Sequence, residues 1–164
     1  MTIRDVRPAD APAVRRIVSD VLREYGLAFD PLVTDADLDD LTANYPGRGG
    51  CFRVIVNEPG DVVGCGGLYP LEERVAEIRK MYLQPAVRGQ GWGRKLLEDL
   101  VGAARALGFS RVTLETASVL KEAIALYRAF GFVEVPRDHL ASRCDTAFSL
   151  DLNSPSGPAS APRG

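Results

Sequence analysis

A glycine-rich segment between a predicted strand and a predicted helix carries the most specific chemistry in the chain. It reads Arg-Gly-Gln-Gly-Trp-Gly-Arg-Lys over residues 88–95, with basic residues at both ends. Glycine permits positive φ angles and a close approach of the backbone to a ligand. A helix start adds unpaired N–H groups and the positive end of the helix dipole. This combination predicts an anion site, most often one for phosphate.

The spacing of the glycines separates this segment from two common phosphate-binding motifs. Gly93 comes too early for the dinucleotide pattern G-x-G-x-x-G, and Lys95 is followed by Leu96 where a P-loop has Ser or Thr. The pattern R/Q-x-x-G-x-G fits, with Arg88, Gly91 and Gly93 at its fixed positions. In this respect the segment resembles the GCN5-related N-acetyltransferase (GNAT) family, in which it cradles the pyrophosphate of acetyl-coenzyme A.

The resemblance implies which residues bind the coenzyme. In the family, the strand corresponding to residues 76–83 splays from the strand at 111–115, and the thioester of acetyl-CoA lies in the gap. Backbone groups on such a strand edge can bind the extended pantetheine arm. The expected coenzyme-binding residues are Met81, Tyr82, Leu83, Arg88, Gly89, Gln90, Gly91, Trp92, Gly93, Arg94 and Lys95. The alternative for residues 88–95 is a glycine-rich turn that binds no ligand.

Glu77 is the candidate general base. In histone-modifying members of the family, a glutamate precedes the glycine motif by the same interval as Glu77 precedes Arg88. An unperturbed lysine-type amine has a pKa near ~10.4, so the acceptor must lose a proton before it attacks. A carboxylate in a partly dry cleft can accept that proton directly or through water. The alternative is that Glu77 only pairs with a basic neighbour such as Arg79.

Tyr127 is the candidate proton donor. Residues 123–132 read Ala-Ile-Ala-Leu-Tyr-Arg-Ala-Phe-Gly-Phe, which resembles the family signature A-I-x-L-Y-x-x-x-G-F. The tyrosine of that signature lies near the thioester sulfur and protonates the leaving thiolate, and a phenol is protonated at pH 7. The alternative is an aromatic ring that only packs in the apolar stripe of its helix. The chain departs from the family at Leu120, where many members have an asparagine that bonds the pantetheine arm.

Two polar clusters fall where the family has its variable acceptor wall. One is the acidic set Asp35, Asp37, Asp39 and Asp40. These acids either favour a cationic amine or lie at an exposed helix start, where the helix dipole favours acids. The other set precedes the last predicted strand and consists of His139, Arg143 and Asp145. These three are further candidates to face the acceptor.

The composition limits the classes of function. At 164 residues, 46% hydrophobic and 26% charged, the chain fits one domain with an ordinary core. A net charge of −2 gives no basic field for nucleic acid, and no apolar run approaches the ~18 residues of a membrane span. Three distant cysteines and the lack of an apolar signal segment predict reduced thiols in the cytoplasm. One histidine argues against a zinc site, so we expect no metal.

Hydrophobic periodicity predicts the element order β-α-α-β-β-β-α-β-α-β-β, which is also the order of the GNAT family. The expected strands cover residues 2–7, 51–56, 62–71, 75–83, 111–115, 132–135 and 146–152. The expected helices lie between Asp10 and Gly26, from about 34 to 45, between the glycine segment and Gly108, and at 122–130. This predicts an α/β fold, a mixed and mainly antiparallel sheet with helices on both faces. We expect a GNAT N-acetyltransferase domain over residues 1–152 and a disordered tail over 153–164.

These features together predict an N-acetyltransferase that moves an acetyl group from acetyl-CoA to a primary amine by direct transfer in a ternary complex. No cysteine lies in 75–93 or 121–131, which argues against an acetyl-cysteine intermediate. The alternatives are a non-catalytic acyl-CoA-binding or sensing module on the same fold and an interaction protein with a decayed site. The acceptor stays open among polyamines, amino acids, antibiotics and protein amines. A homodimer is open too, because members of the family are often dimers.

Overall fold

In the computed structural model, which describes residues 1–136, 140–141 and 143–153, the strands and helices follow in the predicted order. The elements are β1 (Thr2–Asp5), α1 (Ala11–Glu24), α2 (Leu41–Asn44), β2 (Cys51–Val56), β3 (Val62–Glu72), β4 (Val75–Leu83), α3 (Trp92–Ala106), β5 (Arg111–Thr116), α4 (Lys121–Phe130), β6 (Val133–Val135) and β7 (Thr146–Asp151). The predicted α/β fold is confirmed. His139 and the tail residues 154–164 lie outside the described residues.

The strands form one open sheet in the order β1-β2-β3-β4-β5-β7-β6. Neighbouring strands are antiparallel except β4 and β5, which run parallel. Helix α3 supplies the long crossover that a parallel pair needs. The β4–β5 register runs from Val75 beside Arg111 to Ile78 beside Leu114. Because β4 continues to Leu83 while β5 stays with β7, the sheet opens beyond this register.

Helices cover both faces of the sheet, and the periodicity of each apolar stripe explains why. On one face, α3 and α4 bury leucines and Tyr127 against the inner side of β3, β4, β5 and β7. On the other face, α1 buries Val14, Val18 and Leu22 together with Phe52 and Val54 of β2. Each helix places its apolar residues three and four positions apart, so one side of the helix faces the sheet.

The predicted second helix is wrong in extent. The segment forms a 3₁₀ turn, Ala36–Asp39, and then the four-residue helix α2. The break lies at Asp40, which is extended at φ −145° and ψ 90° and accepts a hydrogen bond from the N–H of Ala43 at 3.0 Å. Aspartate competes with the helix for backbone N–H groups and therefore favours caps and turns.

Gly67 explains part of the glycine cluster in β3. A Cβ at this residue would lie 2.5 Å from the ring of Tyr45 and 2.7 Å from the ring of Phe52. The sheet and the α2 region can therefore meet only because residue 67 has no side chain. The register between β3 and β4 also shifts beside Gly67, between its pairing with Arg79 and the pairing of Cys65 with Tyr82. The glycines thus mark both a close approach and a bulge.

None of the helices in the described ranges has the length and apolar character to cross a membrane.

Asp10 generates a stability prediction, because it ties the start of α1 to β1. Both of its carboxylate oxygens accept from Arg4, at 2.7 and 3.0 Å, and one also accepts from the N–H of Arg7 at 2.7 Å. The hydrogen bonds from Arg4 hold the pKa of Asp10 below its usual range. We expect Asp10→Asn to lower the free energy of unfolding at pH 7 by roughly 1.5–3 kcal/mol.

The pH dependence has a definite sign. A depressed pKa stabilises the folded state above the unfolded value of about 3.9, and this stabilisation is lost as the pH falls through the folded value. Denaturant unfolding of wild type and Asp10→Asn should therefore converge as the pH is lowered. Asp20→Asn is the control, because Asp20 is exposed on the same helix. An Asp10→Asn protein as stable as this control at pH 7 would contradict the prediction.

Candidate active site

A cleft of about 860 Å³ lies where β4 and β5 part. Its wall includes the end of β4, the glycine segment, the first half of α4, and segments that precede α2 and β7. Of the residues predicted from sequence, Glu77, Tyr127, Met81, Tyr82, Leu83, Arg88, Gly89, Gly91, Gly93 and Arg94 line it. The fold therefore brings both candidate catalytic side chains and most of the candidate coenzyme-binding residues to one cavity.

The glycine segment enters α3 through two residues in the left-handed region. Gly89 has φ 73° and Gly91, the N-cap of α3, has φ 84°. A Cβ at either residue would meet no heavy atom within 4 Å, so backbone strain and not crowding requires glycine. The segment thus leaves open space at the start of a 15-residue helix, as an anion cradle needs.

Arg88 uses its side chain to hold this segment in place. Its Nε donates to the carbonyl oxygen of Leu83 at 3.0 Å, and its two terminal nitrogens donate to the carboxylate of Glu24, both at 2.8 Å. Arg88 therefore joins the end of β4, the end of α1 and the glycine segment. The first residue of the sequence motif is an anchor in this structure, and the open backbone beside it remains for the anion.

Three of the predicted coenzyme-binding residues are not part of the cleft wall as described. The side-chain amide of Gln90 donates to the carbonyl oxygen of Ala86 at 3.1 Å. Trp92 packs against the core, and the ammonium of Lys95 lies 4.2 Å from the centre of its ring. The motif pattern does not separate side chains that face a ligand from those that face the protein.

The end of β4 contains a strained bulge. Lys80 has φ 56°, and the residue pair Lys80–Met81 stands opposite the single residue Gly66 of β3. A non-glycine residue in the left-handed region costs of order 1–3 kcal/mol. The bulge lies just beyond the point where β4 leaves β5, so it turns the strand at the mouth of the opening.

Glu77 is buried, 6% exposed, and forms an ion pair with Arg79 at 2.5 Å. The guanidinium of Arg79 stacks on the ring of Tyr69 at 3.8 Å from the ring centre. Tyr69 lies opposite Glu77 in the β3–β4 register. The pairing that the sequence left as an alternative is therefore present, and the paired carboxylate lines the cleft as well.

Tyr127 packs in the core and also lines the cleft. Its ring packs edge-on against Phe132 and is tilted against Phe148, with ring centres 6.0 and 6.3 Å apart. The residue is 5% exposed and still lines the cleft. Burial raises the pKa of Tyr127 above that of an ordinary phenol, so its proton is retained to high pH.

Four charged residues beside the bulge form what we name the buried ionic cluster: Asp35, Asp37, Lys80 and Arg143. Lys80 Nζ lies 3.2 Å from one carboxylate oxygen of each aspartate. Arg143 donates to both carboxylate oxygens of Asp35 at 2.7 Å. Although burial alone raises the pKa of Asp35, these partners lower it below its usual range.

The four acids of the predicted acceptor wall all have partners within the protein. Asp35 and Asp37 belong to the buried ionic cluster, and Asp37 also accepts from the hydroxyl of Tyr45. Asp39 pairs with Arg15, and Asp40 caps α2. These contacts favour a structural role, although Asp35 is buried and the side chain of Asp37 is only 10% exposed, unlike the exposed helix start that the sequence indicated.

Two further residues with ionisable side chains line the cleft. Glu115 of β5 accepts from the N–H of Ala141 at 3.3 Å, and Cys144 lies in the segment before β7. Burial, followed by the charge of Glu115, raises the pKa of Cys144 to about 11. Asp145, a predicted candidate, instead accepts from the N–H and hydroxyl of Ser118. No local sequence pattern marks Cys144 as a site residue, because only the fold brings it to the cleft.

Comparison with known proteins identifies the family of this chain. A family model described as the acetyltransferase (GNAT) family matches residues 17–132. The chain belongs to the GNAT acetyltransferase family. It is 44% identical over 131 residues to the uncharacterized N-acetyltransferase YjgM of Escherichia coli K12, over 77% of this chain and 78% of that protein. This GNAT protein is therefore an acyltransferase of the N-acetyltransferase type.

Solved structures agree with the fold. A GNAT acetyltransferase from Staphylococcus aureus Mu50 superposes with a TM-score of 0.87 at 20% identity, over 92% of this chain and 98% of that one. The protein yncA of Salmonella typhimurium, solved with its cofactor acetyl-CoA, superposes with a TM-score of 0.74 at 27% identity, over 98% of each chain. In the described part of our chain, no group of three or more His, Cys, Asp or Glu side chains could hold a metal ion.

The glycine segment generates a binding prediction. Gly91→Asp adds a side chain and a negative charge at the start of α3, and should weaken binding of coenzyme A tenfold or more. This rough size corresponds to the loss of one or two charge-assisted hydrogen bonds. Isothermal titration calorimetry with coenzyme A measures the change.

Gly60→Asp is the matched control for this variant. Gly60 also has a positive φ, 99°, and open space around it, but it lies in the turn between β2 and β3. Both variants place an aspartate at a positive φ in open space. The difference between their affinities for coenzyme A therefore measures the effect of the position at the cleft. Equal affinities for coenzyme A in the two folded variants would refute the phosphate cradle.

Proposed function

We propose that this GNAT protein transfers the acetyl group of acetyl-CoA directly to a primary amine in a ternary complex. The observation that carries the proposal is the parting of β4 from β5 beyond Ile78, with the glycine segment, Glu77 and Tyr127 around one cleft. Such an opening gives two ligands access to the same point in the sheet. The structure with acetyl-CoA among the similar proteins supports this coenzyme as the co-substrate.

The coenzyme fits the cleft through backbone groups. Its phosphates would lie at Gly89–Gly93, where the positive φ angles leave space at the N-terminus of α3. Its extended arm would run along Met81–Leu83, the part of β4 that has no β5 beside it. Ladder hydrogen bonds from a strand edge can hold an extended ligand in this way.

Glu77 would act as the general base on the acceptor. Its ion pair with Arg79 fixes the carboxylate in direction, and the stack of Arg79 on Tyr69 fixes the guanidinium in turn. A held carboxylate beside the opening can take the proton of the bound ammonium directly or through water. Glu115 on the facing strand is another carboxylate in the cleft wall and the alternative base.

Tyr127 would donate the proton that the leaving thiolate needs. Its raised pKa keeps the phenol protonated at the pH where the acceptor amine becomes neutral. Cys144 is a poor nucleophile in this site, because a thiol with a pKa of about 11 is almost wholly protonated at pH 7. This protonation supports direct transfer over an acetyl-cysteine intermediate.

A cytoplasmic location, a domain over residues 1–152 and a homodimer stay predictions.

The base role predicts a loss of rate that depends on pH. Glu77→Gln keeps the shape of the side chain but cannot accept a proton, so kcat/KM for the amine should fall roughly 10²–10⁴-fold at neutral pH. Much of this loss should return at high pH, where the amine is already neutral. Steady-state rates of coenzyme A release between pH 6 and 10.5 measure the profile.

Glu115→Gln is the matched control, since it removes the cleft carboxylate on the facing strand β5. We expect this variant to keep the shape of the wild-type profile. If Glu77→Gln keeps that shape and Glu115→Gln loses rate at neutral pH, the base is Glu115. The same assay over a panel of primary amines tests the function itself: a protein that binds acetyl-CoA and acetylates none of them would instead be a binding module.

The donor role predicts the opposite pH behaviour. Tyr127→Phe keeps the packing against Phe132 and removes only the hydroxyl, so kcat should fall roughly 10²-fold or more. High pH should not restore the rate, because the missing proton is donated and not accepted. An acyl donor with a more acidic thiol should lose less, since its thiolate leaves without help. An equal loss for both donors would contradict proton donation by Tyr127.

A further inference from the structure

Lys80 occupies a backbone position that glycine fills without strain. It has φ 56° in the bulge opposite Gly66, while its side chain is only 5% exposed. A lysine persists in such a conformation when the surrounding structure holds it there. The side chain therefore has contacts that a glycine would lose, and these contacts lie in the buried ionic cluster.

The cluster connects the bulge to two segments of the cleft wall. Lys80 Nζ donates to the carbonyl oxygen of Thr34 at 2.9 Å, in addition to its ion pairs with Asp35 and Asp37. Arg143, which precedes β7, reaches the carbonyl oxygen of Ala28 at 3.3 Å as well as Asp35. The carboxylate of Asp35 thus joins the residue in β4 to the residue before β7.

Asp35 is itself fixed by its own segment. Its N–H donates to the carbonyl oxygen of Asp30 and its carboxylate accepts from the N–H of Asp30, both at 2.8 Å. Because Asp35 has no exposed side-chain surface, its charge is balanced by Lys80 and Arg143 and not by water. Moving either partner away would leave a buried charge without compensation. The segments that carry Asp35, Lys80 and Arg143 are therefore held at fixed distances from one another.

We propose that Lys80 and Asp35 are positioning residues for acetyl transfer. Through the buried ionic cluster, they fix the backbone of Met81–Leu83 relative to the segments that carry Thr34 and Arg143. This assignment rests on the proposed function, which places the thioester along that backbone. Within the described contacts, the cluster does not include the glycine segment, which Arg88 ties to the end of β4 by a separate hydrogen bond to Leu83.

Two substitutions at residue 80 separate the side chain from the backbone strain. Lys80→Met keeps the strain and loses the ammonium, whereas Lys80→Gly relieves the strain and loses the ammonium. We expect both to lower kcat for the best amine of the panel roughly 10²-fold, the cost of a misplaced reacting group. Both should raise the Kd for coenzyme A by calorimetry far less than they lower kcat, because the phosphate contacts at the glycine segment are kept.

The control and an acceptor-independent readout complete the experiment. Asp39 lies on the same segment as Asp35 and forms an exposed ion pair with Arg15 of α1. Asp39→Asn breaks this pair and should change neither kcat nor Kd. Amide hydrogen exchange at residues 81–83, followed by NMR, should be faster in both Lys80 variants than in the wild type. The exchange rate reports how well the backbone amides of residues 81–83 are protected, whether or not an amine is acetylated.

Three results would overturn the proposal. Wild-type kcat and exchange in Lys80→Gly would mean that the side chain is not needed. A loss of coenzyme A affinity in parallel with kcat would mean that the cluster supports the whole cleft. Exchange at residues 81–83 equal to that of Asp39→Asn would mean that the backbone does not depend on Lys80.

A charge-balanced variant covers the case in which Lys80→Met does not fold. Lys80→Met with Asp37→Asn removes one charge of each sign and keeps the pair between Asp35 and Arg143. The same kcat, Kd and exchange values are expected for it. A wild-type protein that acetylates no amine would refute the proposed function, and faster exchange in the variants would still support the positioning role.

Discussion

The structure depends on a sheet that opens in its middle. Beyond Ile78 the backbone of β4 has β3 on one side and no strand on the other, although buried N–H and C=O groups need partners. The bulge at Lys80, the start of α3 and the segments before α2 and β7 surround this edge. The cleft is the space that these elements leave around the unpaired edge, so its position follows from the topology and not from loop shape.

Charge in this cleft serves mainly to fix shape. Every described arginine and lysine of its wall pairs with an acid within the protein: Arg79 with Glu77, Lys80 with Asp35 and Asp37, Arg88 with Glu24, Arg94 with Glu98 and Arg143 with Asp35. In the proposed function, the backbone at the start of α3 is the feature that attracts an anion. Paired charges of this kind contribute little net stability. They form only in a narrow range of geometries, so they suit side chains that must keep a fixed position in the cleft wall.

The sequence predicted what local patterns encode and missed what distant residues create. Strand β4 and the start of α3 were predicted because each has its own apolar period and its own glycine or proline boundary. The bidentate pair between Arg143 and Asp35 joins residues 108 positions apart, and that between Arg88 and Glu24 joins residues 64 apart. No spacing rule relates such residues, so the burial of Asp35 and the anchoring role of Arg88 needed the structure. The helix predicted over residues 34–45 was wrong in extent for a local reason, since Asp40 is extended and caps α2.

The short parallel register between β4 and β5 links occupancy of the cleft to the stability of the fold. Among the described strands, the two halves of the sheet meet in the short register from Val75–Arg111 to Ile78–Leu114, and the N–H groups of Ser110 and Arg111 add hydrogen bonds to the carbonyl oxygen of Arg74. A coenzyme bound along Met81–Leu83 and at the start of α3 would fill the opening beside β4 in the manner of a missing strand. By mass action, a ligand that binds only the folded state stabilises it by RT ln(1 + [L]/Kd). The resistance of this protein to unfolding would then rise and fall with the supply of coenzyme around it.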